Sequence, residues 1–183
     1  MDILFKRLNA LGNYIYTLYP SINYGGCGIY AVAIAKELIK LHIKPKILVV
    51  SQETYTDMNV RDVAKTIEHT DDVHEWNDKG IIFRHVIISF TFEGQEYHYD
   101  TGGVVEADEK YEGYHIYKGH LQLHEAKAII KHQAGWNTTF DRNKIPFITQ
   151  HIENFLEPRR WCTEEWLAKR KDELTIRQLH KEE

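Results

Sequence analysis

A cysteine stands between glycines at the start of an apolar segment, in the run Asn23-Tyr24-Gly25-Gly26-Cys27-Gly28. A thiol is a strong nucleophile only as a thiolate, which the N–H groups and partial positive charge of a helix N-terminus favour. Flanking glycines let a substrate carbonyl approach the backbone, where the Cys27 N–H can donate to an oxyanion. A small buried cysteine in a tight turn explains this motif equally well.

A second chemical signal lies in a predicted β-hairpin. A long β-rich run from Ile81 to Phe92 is followed by Glu93-Gly94 and by a return run from Gln95 to Asp100. Glu93-Gly94 is typical of a two-residue turn. That turn sets a register in which Asp100 is a diagonal neighbour of His85 on one face, within about 7–8 Å.

A cysteine, a histidine and a carboxylate in this order can form a catalytic triad. A carboxylate on one ring nitrogen of His85 would hold its tautomer, leaving the other nitrogen to take the proton of Cys27. We therefore expect Cys27 to be the nucleophile, His85 the base and Asp100 the residue that orients the base. Taken singly, a histidine at a strand start and a carboxylate in a turn need no function to explain them.

The elements that must position these residues follow from apolar periodicity and from cap and turn residues. The predicted helices span Asp2 to Tyr19, Cys27 to Leu41, Val60 to Thr70, Leu121 to His132 and Pro146 to Leu156, and a last charged helix begins after Thr163. Further strands are predicted at Lys46 to Val50 and Tyr114 to Lys118. This order of elements is typical of an α+β fold. We expect one catalytic domain over residues 1–157 and a charged helical extension over 158–183, which Trp161 and Trp166 can dock on the body.

Composition argues against several classes of protein. The 183 residues carry a formal net charge of -4, without the basic excess of a nucleic-acid-binding protein. Two cysteines do not make a disulfide scaffold, and the longest apolar run, Ile29 to Ala35, is too short to span a bilayer. We expect a cytoplasmic protein that binds neither membrane nor nucleic acid. His120 and His124 have a metal-binding spacing, but a solvated helix face explains them better, and no metal is expected.

The three chemical motifs together resemble a known superfamily. Cys on a helix, His at a strand start and Asp at the end of the next strand resemble the papain-like cysteine peptidases. The strand end Tyr-His-Tyr-Asp-Thr-Gly-Gly, residues 97–103, resembles transglutaminase-like proteins and arylamine N-acetyltransferases. The resemblance covers about residues 23–118. It implies a papain-like α+β fold, with the Cys27 helix packed on an antiparallel sheet, and a thiol acyl-transfer site without metal or organic cofactor.

The resemblance also implies site residues and a substrate class. Papain-type peptidases place a Gln before the Cys as an oxyanion donor, whereas this chain has none there, so Asn23, Tyr24 and Gly26 are the expected oxyanion and substrate-binding residues. Transglutaminases carry a Trp after the Cys, where Gly28 stands here. We expect cleavage of an amide or isopeptide bond in a protein or peptide through a thioester. Two alternatives stay open: transglutaminase, deamidase or amine acyltransferase activity, and an inactive fold acting as a protein-binding inhibitor or adaptor.

Overall fold

The computed structural model describes residues 2–51, 58–69, 84–107, 115–126 and 140–179. These residues form α-helices, one β-sheet and short 3-10 helices. The helices are α1 Ile3–Leu18, α2 Cys27–Lys40, α3 Val60–Glu68, α4 Ile145–Leu156 and α5 Glu164–Leu179. The strands are β1 Pro45–Ser51, β2 His85–Phe92, β3 Gln95–Asp100, β4 Gly103–Glu106 and β5 His115–Ile116. The prediction of an α+β protein is confirmed.

The described strands form one antiparallel sheet in the order β4-β3-β2-β1-β5. The β2–β3 hairpin has the predicted register, with Phe92 opposite Gln95 and Ile88 opposite Tyr99. Glu93 and Gly94 both have positive φ values, 48° and 90°, as a two-residue turn with the right twist requires. The turn chemistry thus determines which residues meet at the far end of the hairpin.

Helix α4 packs against both α1 and α2, and α2 packs on β1 and β2. Asp2 caps α1 by accepting a hydrogen bond from the Leu4 N–H at 2.7 Å. Helical spacing brings the apolar side chains of α1 onto one face, where Leu4, Leu8, Leu11 and Ile15 are fully buried. The first half of α2 is buried almost all round, which is typical of a helical segment that is apolar on nearly every side. The nucleophile candidate therefore begins a helix that the core holds firmly.

Two further predicted helices, from Val60 and from Leu121, and the start of the predicted hairpin compare differently with the structure. The helix predicted from Val60 is present, and the side-chain oxygen of Asn59 caps it by accepting a hydrogen bond from the Arg61 N–H. The helix predicted from Leu121 is wrong at its start: Leu121 forms an isolated bridge with Ile47, turns follow it, and residues 127–132 lie outside the described residues. Pairing with β1 overrides a local helical pattern there. The start of the hairpin prediction, Ile81 to Phe83, also lies outside the described residues.

Helix α1 holds the β3–β4 turn that follows Asp100. The side-chain oxygen of Asn9 accepts a hydrogen bond from the Val104 N–H at 2.7 Å. A Cβ atom on Gly12 would lie 2.6 Å from the carbonyl oxygen of Thr101. Only glycine permits so close an approach of helix and turn at this position. The turn beside Asp100 is thereby fixed to the helical layer.

Gly12→Ala should lower the free energy of unfolding by about 1–3 kcal/mol, because the added methyl meets backbone rather than a flexible side chain. Alanine's better helix propensity, up to about 1 kcal/mol, offsets only part of this cost. Urea denaturation measures the change. The matched control is Asn13→Ala at the next, exposed position, where a change within about 0.5 kcal/mol is expected. A Gly12→Ala protein as stable as the wild type would contradict the close contact.

Helix α5 docks on the turn end of the hairpin. Trp166 stacks on Phe92 with ring centroids 6.4 Å apart, and the Arg170 guanidinium lies 4.3 Å from the centre of the same ring. Arg170 and Lys169 both pair with Glu93, at 3.2 and 2.9 Å. Phe92 lies seven positions after His85 on β2, which corresponds to about 23 Å along the strand. The extension thus packs on the body, far from the candidate triad.

Among the helices of the described residues, none is long and apolar enough to cross a bilayer.

Candidate active site

Cys27 is the first residue of α2, and a compact loop precedes it. Pro20 starts a 3-10 turn, Pro20–Asn23, a position that suits its fixed φ. Gly25 then adopts a φ of 101°, which residues with a Cβ rarely reach. The side chain of Cys27 ends up buried, 3% exposed, at the positive end of the helix dipole. The helix dipole favours a negative charge on sulfur.

Gly26, which we expected to bind substrate, has its backbone N–H engaged within the loop. Its N–H donates to the Ile22 carbonyl at 2.9 Å, so it serves the loop and not an oxyanion. A Cβ there would lie 2.7 Å from both the Ile22 carbonyl oxygen and the Phe140 ring. Gly26 is buried and necessary for packing, and the structure does not place it as a donor to substrate.

The hairpin brings His85 and Asp100 together. Because Ile88 pairs with Tyr99, Asp100 follows at the diagonal position to His85. The Nε2 atom of His85 lies 2.9 Å from one carboxylate oxygen of Asp100. The other oxygen of Asp100 accepts a hydrogen bond from the Gly102 N–H at 2.7 Å. Both carboxylate oxygens are therefore engaged, and the buried carboxylate has a fixed orientation.

The thiol of Cys27 is the second hydrogen-bond partner of His85. Since Asp100 engages Nε2, Nδ1 is the ring nitrogen left to serve the thiol. Desolvation by burial lowers the pKa of His85, but hydrogen bonds to Asp100 and Cys27 and the charges of both partners together raise that pKa to about 9. The structure thus joins residues from α2, β2 and β3 in one hydrogen-bonded series.

The expected oxyanion residues Asn23 and Tyr24 lie on the loop just before Cys27. The Thr101 hydroxyl donates to the side-chain oxygen of Asn23 at 2.9 Å. With that oxygen engaged, the amide NH2 of Asn23 is the end of the side chain that can donate to another group. Tyr24 is 61% exposed, so its ring is accessible to a ligand. Thr101 links this loop to the residue directly after Asp100.

Sequence reasoning missed the buried tyrosine pair near the triad. Tyr30 lies one helical turn after Cys27, and its hydroxyl is hydrogen-bonded to the hydroxyl of Tyr99, the residue before Asp100. Helical spacing of Tyr30 from the cysteine was the available signal, but nothing local identified its partner 69 residues away. The contact of Thr101 with Asn23 was not predicted either, because its partner lies 78 residues away.

The weaker candidates do not assemble into sites. Burial, with Asp2 nearby, raises the pKa of Cys162 to about 12, which makes this thiol a poor nucleophile at neutral pH. Cys27 and Cys162, both among the described residues, are not joined by a disulfide. The part of the chain that the structure describes contains no group of three His, Cys, Asp or Glu side chains arranged for a metal ion. His120 and His124 accordingly lie in no metal-binding cluster of described residues.

The sequence matches no protein-family model, and no curated protein and no solved structure matches it either.

Proposed function

We propose that this chain is a thiol hydrolase or acyltransferase with a papain-like, transglutaminase-like fold, acting on an amide or isopeptide bond of a protein or peptide. The observation that carries the proposal is the series Cys27–His85–Asp100, in which each residue is a hydrogen-bond partner of the next. A thiol, an imidazole and a buried carboxylate in contact are the groups that nucleophilic acyl transfer requires. A purely structural role would explain why these residues are buried in the core. It would not require His85 to be hydrogen-bonded both to Cys27 and to Asp100.

Acylation begins with His85 holding the proton of the Cys27 thiol, as its raised pKa favours at neutral pH. The thiolate attacks the substrate carbonyl carbon, forming a C–S bond while the carbonyl π electrons move to oxygen. The tetrahedral oxyanion then collapses, the C–N bond breaks, and the leaving nitrogen takes the proton from His85. A thioester on Cys27 remains, and Asp100 keeps Nδ1 of the neutral imidazole directed at the site.

Deacylation repeats these steps with a different nucleophile. Water, or an amine in the transfer reaction, gives its proton to His85 and attacks the thioester carbon. Collapse of the second tetrahedral intermediate breaks the C–S bond and returns the thiolate beside the imidazolium. The Asn23 amide, oriented by Thr101, would donate to the oxyanion in both halves.

A Cys162→Ser protein, in which Cys27 is the remaining thiol, should give a burst of p-nitrophenolate with p-nitrophenyl acetate. The burst should equal about one acetyl group per chain, because formation of the thioester precedes its slower hydrolysis. Mass spectrometry of the quenched protein should locate the acetyl group on Cys27. Neutral hydroxylamine should remove it, since a thioester is far more labile than an acetylated lysine.

Three variants sharpen this test. Cys27→Ser and His85→Ala should both lose the burst. Asn23→Ala should slow acetylation by about 10-fold or more while alkylation by iodoacetamide changes less, because alkylation develops no oxyanion. An intact protein with no burst and no acetyl group on Cys27 would overturn the proposal and favour the inhibitor or adaptor alternative. Added amines that accelerate the steady release of p-nitrophenolate after the burst would identify the transferase, because an amine attacks the thioester in the second step.

A further inference from the structure

Two buried tyrosines connect three elements beneath the candidate triad. Tyr30 on α2 and Tyr99 on β3 are 3% and 1% exposed, and their hydroxyls are hydrogen-bonded to each other. The Tyr99 hydroxyl also donates to the backbone carbonyl of Leu8 on α1, at 2.7 Å. Helix α2, strand β3 and helix α1 therefore meet at two adjacent hydroxyl groups.

The direction of this hydrogen-bonded chain follows from the chemistry of its members. The Leu8 carbonyl can only accept, so the single hydroxyl proton of Tyr99 is directed to it. The Tyr99 oxygen must then accept the proton of Tyr30. Burial is the main cause that raises the pKa of both tyrosines, so both are neutral and able to donate throughout the physiological range. Each hydrogen bond in the series therefore has one donor: Tyr30 donates to Tyr99, and Tyr99 donates to the Leu8 carbonyl.

Both tyrosines of this hydrogen-bonded series lie close in the chain to a residue of the candidate triad. Tyr30 follows Cys27 by three residues, which places both on one side of α2. Tyr99 is bonded directly to Asp100 through the backbone. Aromatic packing alone, with the two ring centroids 5.9 Å apart, tolerates sliding of one ring over the other. A hydrogen bond between the two hydroxyls does not, because its strength falls steeply with distance and angle.

We propose that Tyr30 and Tyr99 are positioning residues that set the spacing between the nucleophile helix and the strand that carries Asp100. Through that spacing they hold the Cys27 thiol within reach of His85. The inference rests on the proposed function. It adds that triad geometry depends on a hydroxyl link that touches neither substrate nor reacting atoms.

The test measures the rate of Cys27 alkylation by iodoacetamide against pH, in the Cys162→Ser background. Tyr30→Phe keeps the ring and the Tyr99–Leu8 bond, so the variant loses one hydroxyl and retains the fold. Its rate at about pH 5 should fall about 10-fold, and the midpoint of its pH profile should move toward the ordinary thiol value of about 8.5. The matched control is Tyr97→Phe, two residues before Tyr99 on β3, which should alter neither quantity.

A second pair of variants asks whether the two hydroxyls act as one link. Tyr99→Phe should shift the profile in the same direction, and the Tyr30→Phe/Tyr99→Phe protein should lose no more than Tyr99→Phe alone. A Tyr30→Phe profile that overlays the parent profile, where the parent shows enhanced reactivity, overturns this inference and leaves the proposed function standing. A parent protein whose Cys27 behaves as an ordinary thiol overturns both.

Discussion

Replacing His85 with alanine is expected to slow alkylation of Cys27 by iodoacetamide at least about 10-fold at about pH 5. A thiol with the ordinary pKa of about 8.5 is only about 0.03% ionised at that pH. A thiolate that faces a protonated His85 remains ionised to a far greater extent. Its lower intrinsic nucleophilicity cancels part of the gain, which is why the expected factor is smaller than the ratio of ionised fractions.

The measurement is the pseudo-first-order rate in the Cys162→Ser background, followed by mass spectrometry at several pH values. His151→Ala is a matched control, since His151 contacts Tyr14 on the helical layer at 3.1 Å and plays no part in the triad. Its profile should match that of the parent. If His85→Ala retained the parent profile as well, the pairing of thiol and imidazole would be chemically irrelevant, and the proposed acyl transfer would lose its base.

The second large effect concerns the pH dependence of stability. In the folded protein the pKa of His85 is raised to about 9, whereas an unfolded histidine titrates at about 6.5. The folded state therefore binds this proton more tightly than the unfolded state. The resulting stabilisation, about 2–4 kcal/mol, is complete below about pH 6.5 and is lost as the pH rises through about 9.

Asp100→Asn should remove much of this effect, because the variant has no carboxylate charge to stabilise the imidazolium. Its side-chain oxygen can still accept the Gly102 N–H, so the turn is retained. We expect the NMR titration midpoint of His85 to fall from about 9 toward the ordinary value. The difference in unfolding free energy between wild type and variant should shrink by about 1–3 kcal/mol between about pH 6 and pH 9.5.

Urea denaturation at both pH values supplies that difference. Both proteins are compared in the Cys27→Ala background, where no thiol exchanges a proton with His85 and titrations common to both proteins cancel. Carboxylates titrate well below this range and so do not contribute. A wild-type His85 that titrates near 6.5 would show that the contact with Asp100 does not stabilise the charged ring. A stability difference that is the same at both pH values would show that Asp100 acts through packing alone.

The hairpin illustrates how much of the candidate site was predictable. Gly94 favours a two-residue turn because glycine adopts a positive φ freely, and Glu93 adopts a positive φ beside it. A two-residue turn then sets every later pairing in the hairpin. The diagonal relation of His85 and Asp100 was therefore available from local chemistry, and the 2.9 Å contact between them agrees with it. The buried start of α2 was available from composition in the same way, because a helix apolar on all sides has to lie in the core.

Other features depended on partners far away in the chain. The role of Gly26 follows from Phe140, whose ring occupies the space that a side chain would need, and no pattern around residue 26 indicates this. The same applies to Leu121, which pairs with Ile47 although its neighbours have helical spacing. Local preferences amount to tenths of a kcal/mol per residue, and pairing or packing with distant residues readily outweighs them.

The sequence by itself determined the class of the fold, the register of the hairpin and the order of a cysteine, a histidine and an aspartate, because turns and periodic burial act over a few residues. Only the tertiary structure decided that the Cys27 thiol meets His85, that Thr101 orients Asn23, and that Tyr30 reaches Tyr99. These contacts join α2 to the sheet across many tens of residues. Their geometry depends on how layers pack as a whole, and such packing leaves no local trace in the chain.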